Sequence, residues 1–261
     1  MSSNPAPLLK IEGLSASIGG QTVLHQVSLE MAAAEWLAVV GGSGAGKSTL
    51  LRAVMGLSRP ARPTAGLIDF NGQKRGFSAH CKRGTKGIAF VPQSPAHGFD
   101  PLRRLRWQWD QLARYKRPAA ANGRRDILAA LGLPDLDSSY PNQWSRGMQQ
   151  RLLLAMALMD LPKLLILDEP TSALDPLIAA QVLQETQRLA RKRQIAVMMV
   201  THDLSLAARF ADRIAVMRAG QIVETGPTEH LLFDPKHPYS RELVSHRSWQ
   251  RAKLDHLHAA E

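Results

Sequence analysis

The strongest chemical signal in the sequence is a glycine-rich run of eight residues followed by a threonine. It fits the pattern G-x-x-x-x-G-K-[ST], the P-loop that binds phosphate groups. Its glycines let consecutive backbone N–H groups turn toward an anion, Lys47 adds a positive charge for the outer phosphates, and the Ser48 hydroxyl can reach a Mg²⁺ ion. The predicted phosphate site comprises Gly41, Gly42, Ser43, Gly44, Ala45, Gly46, Lys47, Ser48 and Thr49.

Two acids follow an apolar run in the second half of the chain. Leu164–Leu167 is typical of a buried strand, and Asp168 and Glu169 stand at its carboxyl end. An aspartate in this place can hold Mg²⁺, and an acid beside it can polarise an attacking water. Acids at strand ends are common, so the pair takes its meaning from the P-loop upstream.

A glutamine and a histidine complete the set of candidate catalytic residues. Gln93 follows the apolar run Ile88–Val91 and can contact Mg²⁺ or the attacking water. His202 follows the run Ile195–Val200 and can hydrogen-bond a terminal phosphate. A lone histidine at a strand end is more often a core or capping residue, but its place after the other motif residues favours the functional interpretation.

The elements that position these residues alternate between strands and helices, which predicts an α/β fold with a mostly parallel sheet. The P-loop lies between an apolar strand, Trp36–Val40, and a helix whose positive N-terminus faces the phosphates. Three short strands precede it, and later segments are helical. The predicted strands are Leu8–Ile11, Ser15–Ile18 and Val23–Glu30, and the predicted helical segments are Thr49–Met55, Pro101–Leu131, Ser145–Leu161 and a helix from Asp175-Pro176 to Arg193.

Composition narrows the class of protein. The chain has 261 residues, enough to bury a core without cross-links. Its one cysteine excludes an internal disulfide framework, and a multi-cysteine zinc or iron–sulfur site within one chain. No apolar stretch could span a bilayer and the N-terminus has no signal-peptide layout, so we expect a protein that is soluble by itself.

The positive net charge is compatible with several kinds of binding partner. The formal charge is +11, and part of the excess lies among the basic residues between Arg103 and Arg125, where Trp107, Trp109 and Tyr115 also occur. Such a surface can bind nucleic acid or an anionic membrane, or can serve solubility alone. His246, His256 and His258 in the polar tail do not have the spacing of a closed metal site.

In its ordered set of motifs the chain resembles the ATP-binding cassette family. The set comprises the P-loop, Gln93, a signature region at Tyr140–Arg151, the Asp168-Glu169 pair, a D-loop containing Ser172 and Asp175, and His202. The resemblance implies a P-loop NTPase core with an N-terminal antiparallel β subdomain and a helical insertion. It implies ATP and Mg²⁺ as cofactors, with Glu169 as the general base and Ser48, Gln93 and Asp168 serving the metal.

A finer resemblance is to the importers of oligopeptides, dipeptides and nickel. It rests on Arg83-Gly84, Gln93–Pro95, Phe99–Leu102, Gly147-Met148 and Phe233–Arg241. The chain stops before the longer, cysteine-bearing tail of many peptide importers, which makes it look more like a nickel or metal-chelate subunit. We therefore expect nickel or metal-chelate import, with peptide import as the alternative. An ATPase acting on nucleic acid or ribosomes is less favoured, since the chain has one P-loop and no sustained heptads.

Two positions depart from the family pattern. The signature residues Ser145, Arg146, Gly147 and Met148 contain an arginine where the family has its first glycine. Arg146 could hinder closure, could act as an arginine finger, or could point to solvent. Ile18 stands where the family places an aromatic residue against adenine, so an apolar contact is expected to replace stacking.

The resemblance also implies a domain organisation and a set of partners. We expect one nucleotide-binding domain over residues 1–248, with a helical subdomain at about 101–160 that docks on a membrane partner, and a loose tail at 249–261. The expected partners are two membrane permease subunits, a second and different ATPase subunit, and an extracytoplasmic substrate-binding protein, without nucleic acid. Two cassettes would meet head to tail at the cytoplasmic face of the inner or plasma membrane.

Overall fold

The structure is a computed structural model that describes residues 6–57, 59–76, 85–116, 124–159, 161–171 and 174–245. The described residues divide into two units. The first contains the chain up to Lys86 together with the residues from Met198 onward, and the second runs from Gly87 to Val197. The P-loop and His202 therefore belong to the first unit, and Gln93, Asp168 and Glu169 belong to the second.

The bounds of the described elements follow in chain order. The strands are β1 (Leu9–Ile18), β2 (Gln21–Met31), β3 (Trp36–Val40), β4 (Arg62–Phe70), β5 (Gln73–Arg75), β6 (Ile88–Val91), β7 (Leu164–Asp168), β8 (Ala196–Thr201), β9 (Arg213–Arg218) and β10 (Gln221–Pro227). The α-helices are α1 (Lys47–Met55), α2 (Leu105–Lys116), α3 (Arg124–Ala130), α4 (Arg146–Met159), α5 (Pro176–Lys192), α6 (Leu204–Phe210), α7 (Thr228–Phe233) and α8 (Pro238–Ser245).

The first unit contains the expected antiparallel sheet, in the order β2-β1-β4-β5. The prediction of two short strands before Gly19 was wrong, because β1 continues through both segments. It does so with a register shift between Ile11 and Leu14, at which Gly13 adopts a φ of 58°. A residue without a Cβ takes this conformation at little cost, so the strand bulges instead of ending.

The remaining strands of the first unit include two that are buried throughout, β3 and β8, and β3 leads into the P-loop. Their order is β10-β9-β3-β8, with β9 parallel to β3 and antiparallel to β10. Every residue of β3 and β8 is buried, as continuous apolar runs predict for strands covered on both faces. The P-loop thus follows a strand that is covered on both faces.

The second unit combines a parallel strand pair, β6 and β7, with the helices α2–α5. The α5 start was predicted correctly, because the Asp175 carboxylate accepts the Ile178 N–H at 3.1 Å and Pro176 is the first helical residue. Helix α4 ends at Met159, two residues before the predicted end. Of the aromatic residues on α2, Trp109 is a core residue, whereas Trp107 is exposed beneath the Arg103 guanidinium, 4.8 Å from its ring centre.

Three expectations concern the chain as a whole. Across the described ranges, no helix combines the length and the apolar character needed to cross a membrane. His246, His256, His258 and the predicted tail lie outside the described residues, and so does Ser172. The single domain over residues 1–248 stays a prediction.

Candidate functional site

The P-loop adopts its shape because of where its glycines lie. Gly44 and Gly46 have φ angles of 76° and 99°, a region that side chains rarely occupy. At Gly41 an added Cβ would collide with the Met217 carbonyl oxygen at the end of β9. Glycine is therefore required at Gly41 for close packing and at the other two for the turn.

Lys47 lies folded back over this loop. Its ammonium group donates to the carbonyl oxygens of Gly41 at 2.8 Å and Gly42 at 2.9 Å, and the residue is buried. A buried lysine that keeps its charge needs such partners. The fold thus holds a cation at the loop, as the sequence predicts for a phosphate site.

Helix α1 begins at Lys47 and presents an N-terminus suited to an anion. No side chain caps it, and its first turn holds no acidic residue. The first N–H groups of a helix have no partner within the helix, and the helix dipole places positive charge at that end. The loop, Lys47 and α1 together fit the phosphates of a nucleotide, with the Ser48 hydroxyl beside them in the first turn.

The second unit brings two predicted catalytic residues into contact. The Gln93 side-chain amide donates to the Glu169 carboxylate at 2.7 Å, although 76 positions separate them. Glu169 follows β7 with a φ of 44°, an uncommon conformation for this residue type that occurs often at functional sites. Asp168 is the last residue of β7 and is half-buried.

The signature residues lie at the start of α4. The Ser145 hydroxyl oxygen accepts the Met148 N–H at 3.2 Å, so Ser145 caps the helix as the sequence predicts. Arg146 is the first helical residue and is exposed. The buried Trp144 indole donates to the Ser139 hydroxyl at 2.8 Å, which anchors the segment that leads into the helix.

The other predicted site residues fall at ends of elements. His202 is exposed directly after β8, and the next residue, Asp203, caps α6 by accepting the Ser205 N–H at 2.7 Å. Ile18 ends β1 at the Gly19-Gly20 turn, with 36% of its surface exposed. An exposed aliphatic side chain at a strand end is available for an apolar contact, and its contact with adenine stays a prediction.

Two residues were missed by the sequence reasoning. Gln150 is fully buried in α4 and donates to the Pro92 carbonyl at 3.1 Å, next to Gln93 in the chain. It lies between Gln149 and Arg151, before the apolar run of the helix, and its segment was noted only as part of the family resemblance. Tyr239 of α8 accepts the Gly42 N–H at 3.0 Å, so it touches the P-loop. Its segment was noted only as a family resemblance.

A groove in the second unit offers an apolar surface. The cavity has a volume of about 490 Å³ and lies among β6, the residues after it, α2 and α4. Its lining is mostly hydrophobic and includes Phe90, Leu112, Leu153 and Met156. Phe90 is 38% exposed, which is high for a phenylalanine in a strand.

Comparison with known proteins assigns the family. The family model for ABC transporters matches residues 24–172, more than half of the chain, so the chain belongs to the ABC transporter family. The oligopeptide transport ATP-binding protein AmiE of Streptococcus pneumoniae is 38% identical over 237 residues, which cover 86% of this chain and 66% of AmiE. The dipeptide transport ATP-binding protein DppD of Escherichia coli is 36% identical over 252 residues, which cover 91% of this chain and 77% of DppD.

Solved structures confirm the fold class. A structure titled as the ATP-binding subunit of an ABC transporter has a TM-score of 0.76 at 24% identity, covering 95% of this chain and 98% of that one. The dimeric post-hydrolysis structure of the ATP-binding cassette MJ0796 with ADP and Pi has a TM-score of 0.72 at 26% identity, covering 84% and 98%. The α/β P-loop NTPase fold of ABC ATPases, with an antiparallel N-terminal sheet, is therefore established.

The same comparisons correct the emphasis of one expectation. The sequence analysis favoured nickel or metal-chelate import over peptide import, on the length of the chain. The relatives AmiE and DppD carry oligopeptide and dipeptide transport names, which favours the peptide alternative.

Proposed function

We propose that this chain is the ATP-hydrolysing subunit of an importer that carries dipeptides or oligopeptides through separate membrane proteins. The observation that carries the proposal is an intact P-loop, with Lys47 held at the loop and α1 uncapped, in a chain 38% identical to an oligopeptide transport ATP-binding protein. The cargo follows from the relatives' names and the ATPase role from the site.

In this proposal the P-loop binds the phosphates of ATP. Its backbone N–H groups, the α1 N-terminus and Lys47 carry positive potential toward them. The Ser48 hydroxyl, the Asp168 carboxylate and the Gln93 amide oxygen supply the oxygen ligands that Mg²⁺ prefers. Bound there, Mg²⁺ would neutralise charge on the β- and γ-phosphates. Ile18 contacts the adenine through its exposed aliphatic side chain.

Glu169 acts as the general base in the proposed reaction. It takes a proton from water as the water oxygen attacks the γ-phosphorus and the bond to ADP breaks. Gln93 keeps the Glu169 carboxylate oriented through its 2.7 Å hydrogen bond. His202 hydrogen-bonds the γ-phosphate, and Lys47 stabilises the charge that develops on the phosphate oxygens.

A second ATPase subunit completes the functional unit. The signature residues 145–148 would face the ATP of that partner, as the family resemblance implies, and Ser172 and Asp175 remain the predicted D-loop residues. Arg146 makes the signature of this chain unusual, so we expect the partner to be a different subunit with its own signature.

The partners in the membrane would be two permease subunits, with an extracytoplasmic binding protein delivering the cargo. The groove lined by Phe90, Leu112 and Met156 suits a short amphipathic helix of a permease, because it joins an apolar lining to an open rim. The chain would thus sit peripherally at the cytoplasmic face of the membrane.

The test is assembly followed by cargo-stimulated hydrolysis. The chain is co-expressed with its candidate permease pair and a second ATPase subunit, and the purified complex is reconstituted in liposomes. We expect ATP hydrolysis that rises when a binding protein loaded with di- or oligopeptide is added, and no rise with Ni²⁺. Tight, salt-sensitive binding to DNA or RNA without permease association would overturn the transport role.

A further inference from the structure

Tyr239 makes a contact with the P-loop that none of the motifs accounts for. Its hydroxyl oxygen accepts the Gly42 N–H at 3.0 Å, across 197 positions of sequence. Both residues lie in the first unit. An aromatic side chain from the last described helix therefore reaches the entrance of the phosphate-binding loop.

The contact fixes one particular peptide unit. The peptide between Gly41 and Gly42 offers its carbonyl oxygen to the Lys47 ammonium at 2.8 Å and its N–H to Tyr239 at 3.0 Å. Both polar groups of this peptide thus have a hydrogen-bond partner: the Lys47 ammonium for the carbonyl and the Tyr239 hydroxyl for the N–H. A peptide between two glycines rotates more easily than any other, because neither residue has a Cβ to restrict it.

Tyr239 is itself held in place, at its ring and through the backbone of its segment. The Arg218 guanidinium, at the end of β9, lies 4.7 Å from the centre of the Tyr239 ring. The His237 Nδ1 accepts the Tyr239 N–H at 3.2 Å, which fixes the first turn of α8. The Glu224 carboxylate of β10 accepts the N–H groups of Lys236 and His237 at 2.8 Å and 3.0 Å.

We propose that Tyr239 is a positioning residue of the P-loop: its hydroxyl locks the Gly41–Gly42 peptide, so that the loop and Lys47 are arranged before nucleotide binds. The proposal rests on the nucleotide-binding role proposed above for this loop. Without the hydroxyl, the peptide is free to rotate, Lys47 loses a fixed carbonyl partner, and nucleotide binding must itself order the loop.

The expected effect is on affinity and not on the chemical step. Replacing Tyr239 by phenylalanine keeps the ring beneath Arg218 and removes one hydrogen bond, worth about 1 kcal/mol, so the Kd should rise about three- to tenfold. ATP and ADP should be affected alike, because either nucleotide would have to order the loop on binding. The kcat of an assembled complex should change less than the Kd, because bound nucleotide would already have ordered the loop and Lys47 before the chemical step.

The test uses the full chain and four proteins: wild type, Tyr239→Phe, Ser245→Ala and Lys47→Ala. Ser245→Ala is the matched control, because it removes an exposed α8 hydroxyl that donates to the Glu242 carbonyl at 2.7 Å. Calorimetry gives the Kd for Mg-ATP and for ADP. Hydrogen exchange of the Gly42 amide, measured without nucleotide, reports the hydrogen bond directly.

The proposal expects a raised Kd and faster Gly42 exchange in Tyr239→Phe, with both unchanged in Ser245→Ala. Unchanged Kd and unchanged Gly42 exchange in Tyr239→Phe would overturn it. A purely structural role for α8 would lower the melting temperature while leaving both quantities as in wild type, which also overturns it. If Lys47→Ala binds ATP as wild type does, the proposed role of the loop fails instead, and the exchange result still decides whether Tyr239 locks the peptide.

Discussion

Glu169 is the residue on which the proposed hydrolysis depends most directly. It lies at the end of a buried strand, has a positive φ and accepts a hydrogen bond from Gln93. The arrangement gives its carboxylate one orientation, which is what a general base needs. Replacing one carboxylate oxygen of Glu169 by an amide nitrogen therefore tests its role directly.

Replacing Glu169 by glutamine should stop turnover while leaving ATP binding intact. The change keeps the side-chain shape and an acceptor for Gln93 but removes the proton-accepting group, so the kcat of the assembled transporter should fall about 10²- to 10⁴-fold. Steady-state hydrolysis and ATP titration measure the two quantities. The control is Glu185→Gln, which changes a half-exposed carboxylate on α5 that pairs with Arg188. Wild-type turnover in Glu169→Gln would remove Glu169 as the base.

Replacing Arg146 by glycine distinguishes the three roles left open for this side chain. Arg146 is exposed at the first position of α4. An exposed arginine has a long side chain that can move aside, so we expect turnover of the assembled complex to stay within about twofold of wild type. A large fall would indicate that it acts as an arginine finger, and a large rise that it hinders closure. Arg125→Gly, at an exposed position of α3, controls for the cost of glycine in a helix.

Among the elements, the attachment of α8 to β10 depends on a carboxylate, that of Glu224, whose pKa folding changes. Partial burial raises the pKa of the Glu224 carboxyl, but the Lys236 N–H, the Ser240 hydroxyl and the His237 N–H together outweigh this and hold the pKa below its usual value. A carboxyl whose pKa is lowered by folding contributes stability above its unfolded pKa and loses it as the pH falls through its folded pKa. The α8 attachment should therefore weaken only in acid.

The corresponding prediction concerns Glu224→Gln. At neutral pH this variant should melt at a lower temperature than wild type, because a neutral amide accepts the two N–H groups less strongly. The difference should shrink as the pH falls below about 4.5, the usual pKa of a glutamate carboxyl, and on through the lower folded pKa of Glu224, because the wild-type group is then neutral like the amide. Melting curves from pH 7 to pH 3 measure this, with Glu242→Gln on α8 as the control. A difference that stays constant over this range would exclude the carboxylate as the source.

At the scale of the whole molecule, the apolar groove of the second unit is the surface through which we propose that the chain joins a permease. We expect Met156→Glu to abolish co-purification with the permease pair, because docking would bury an unpaired carboxylate at a cost of several kcal/mol. ATP affinity should be unchanged. Leu161→Glu, at an exposed leucine outside the groove lining, is the matched control. Normal co-purification of Met156→Glu would place the docking surface elsewhere.

The sequence alone identified the family, predicted the phosphate-binding loop and located most of the elements. The P-loop, the buried strands and the caps at Ser145 and Asp175 are local patterns, in which spacing along the chain sets the geometry. The errors were local as well: β1 bulges at Gly13 where a turn was expected, and Trp109 is a core residue within a basic segment.

Only the tertiary structure decided which distant polar atoms meet. The Gln93–Glu169, Gln150–Pro92 and Tyr239–Gly42 hydrogen bonds join residues 76, 58 and 197 positions apart. No periodicity encodes such pairs, because they depend on how strands and helices pack and not on the spacing within any one of them. The sequence therefore shows that a phosphate-binding loop is present, while the fold shows what holds that loop in place.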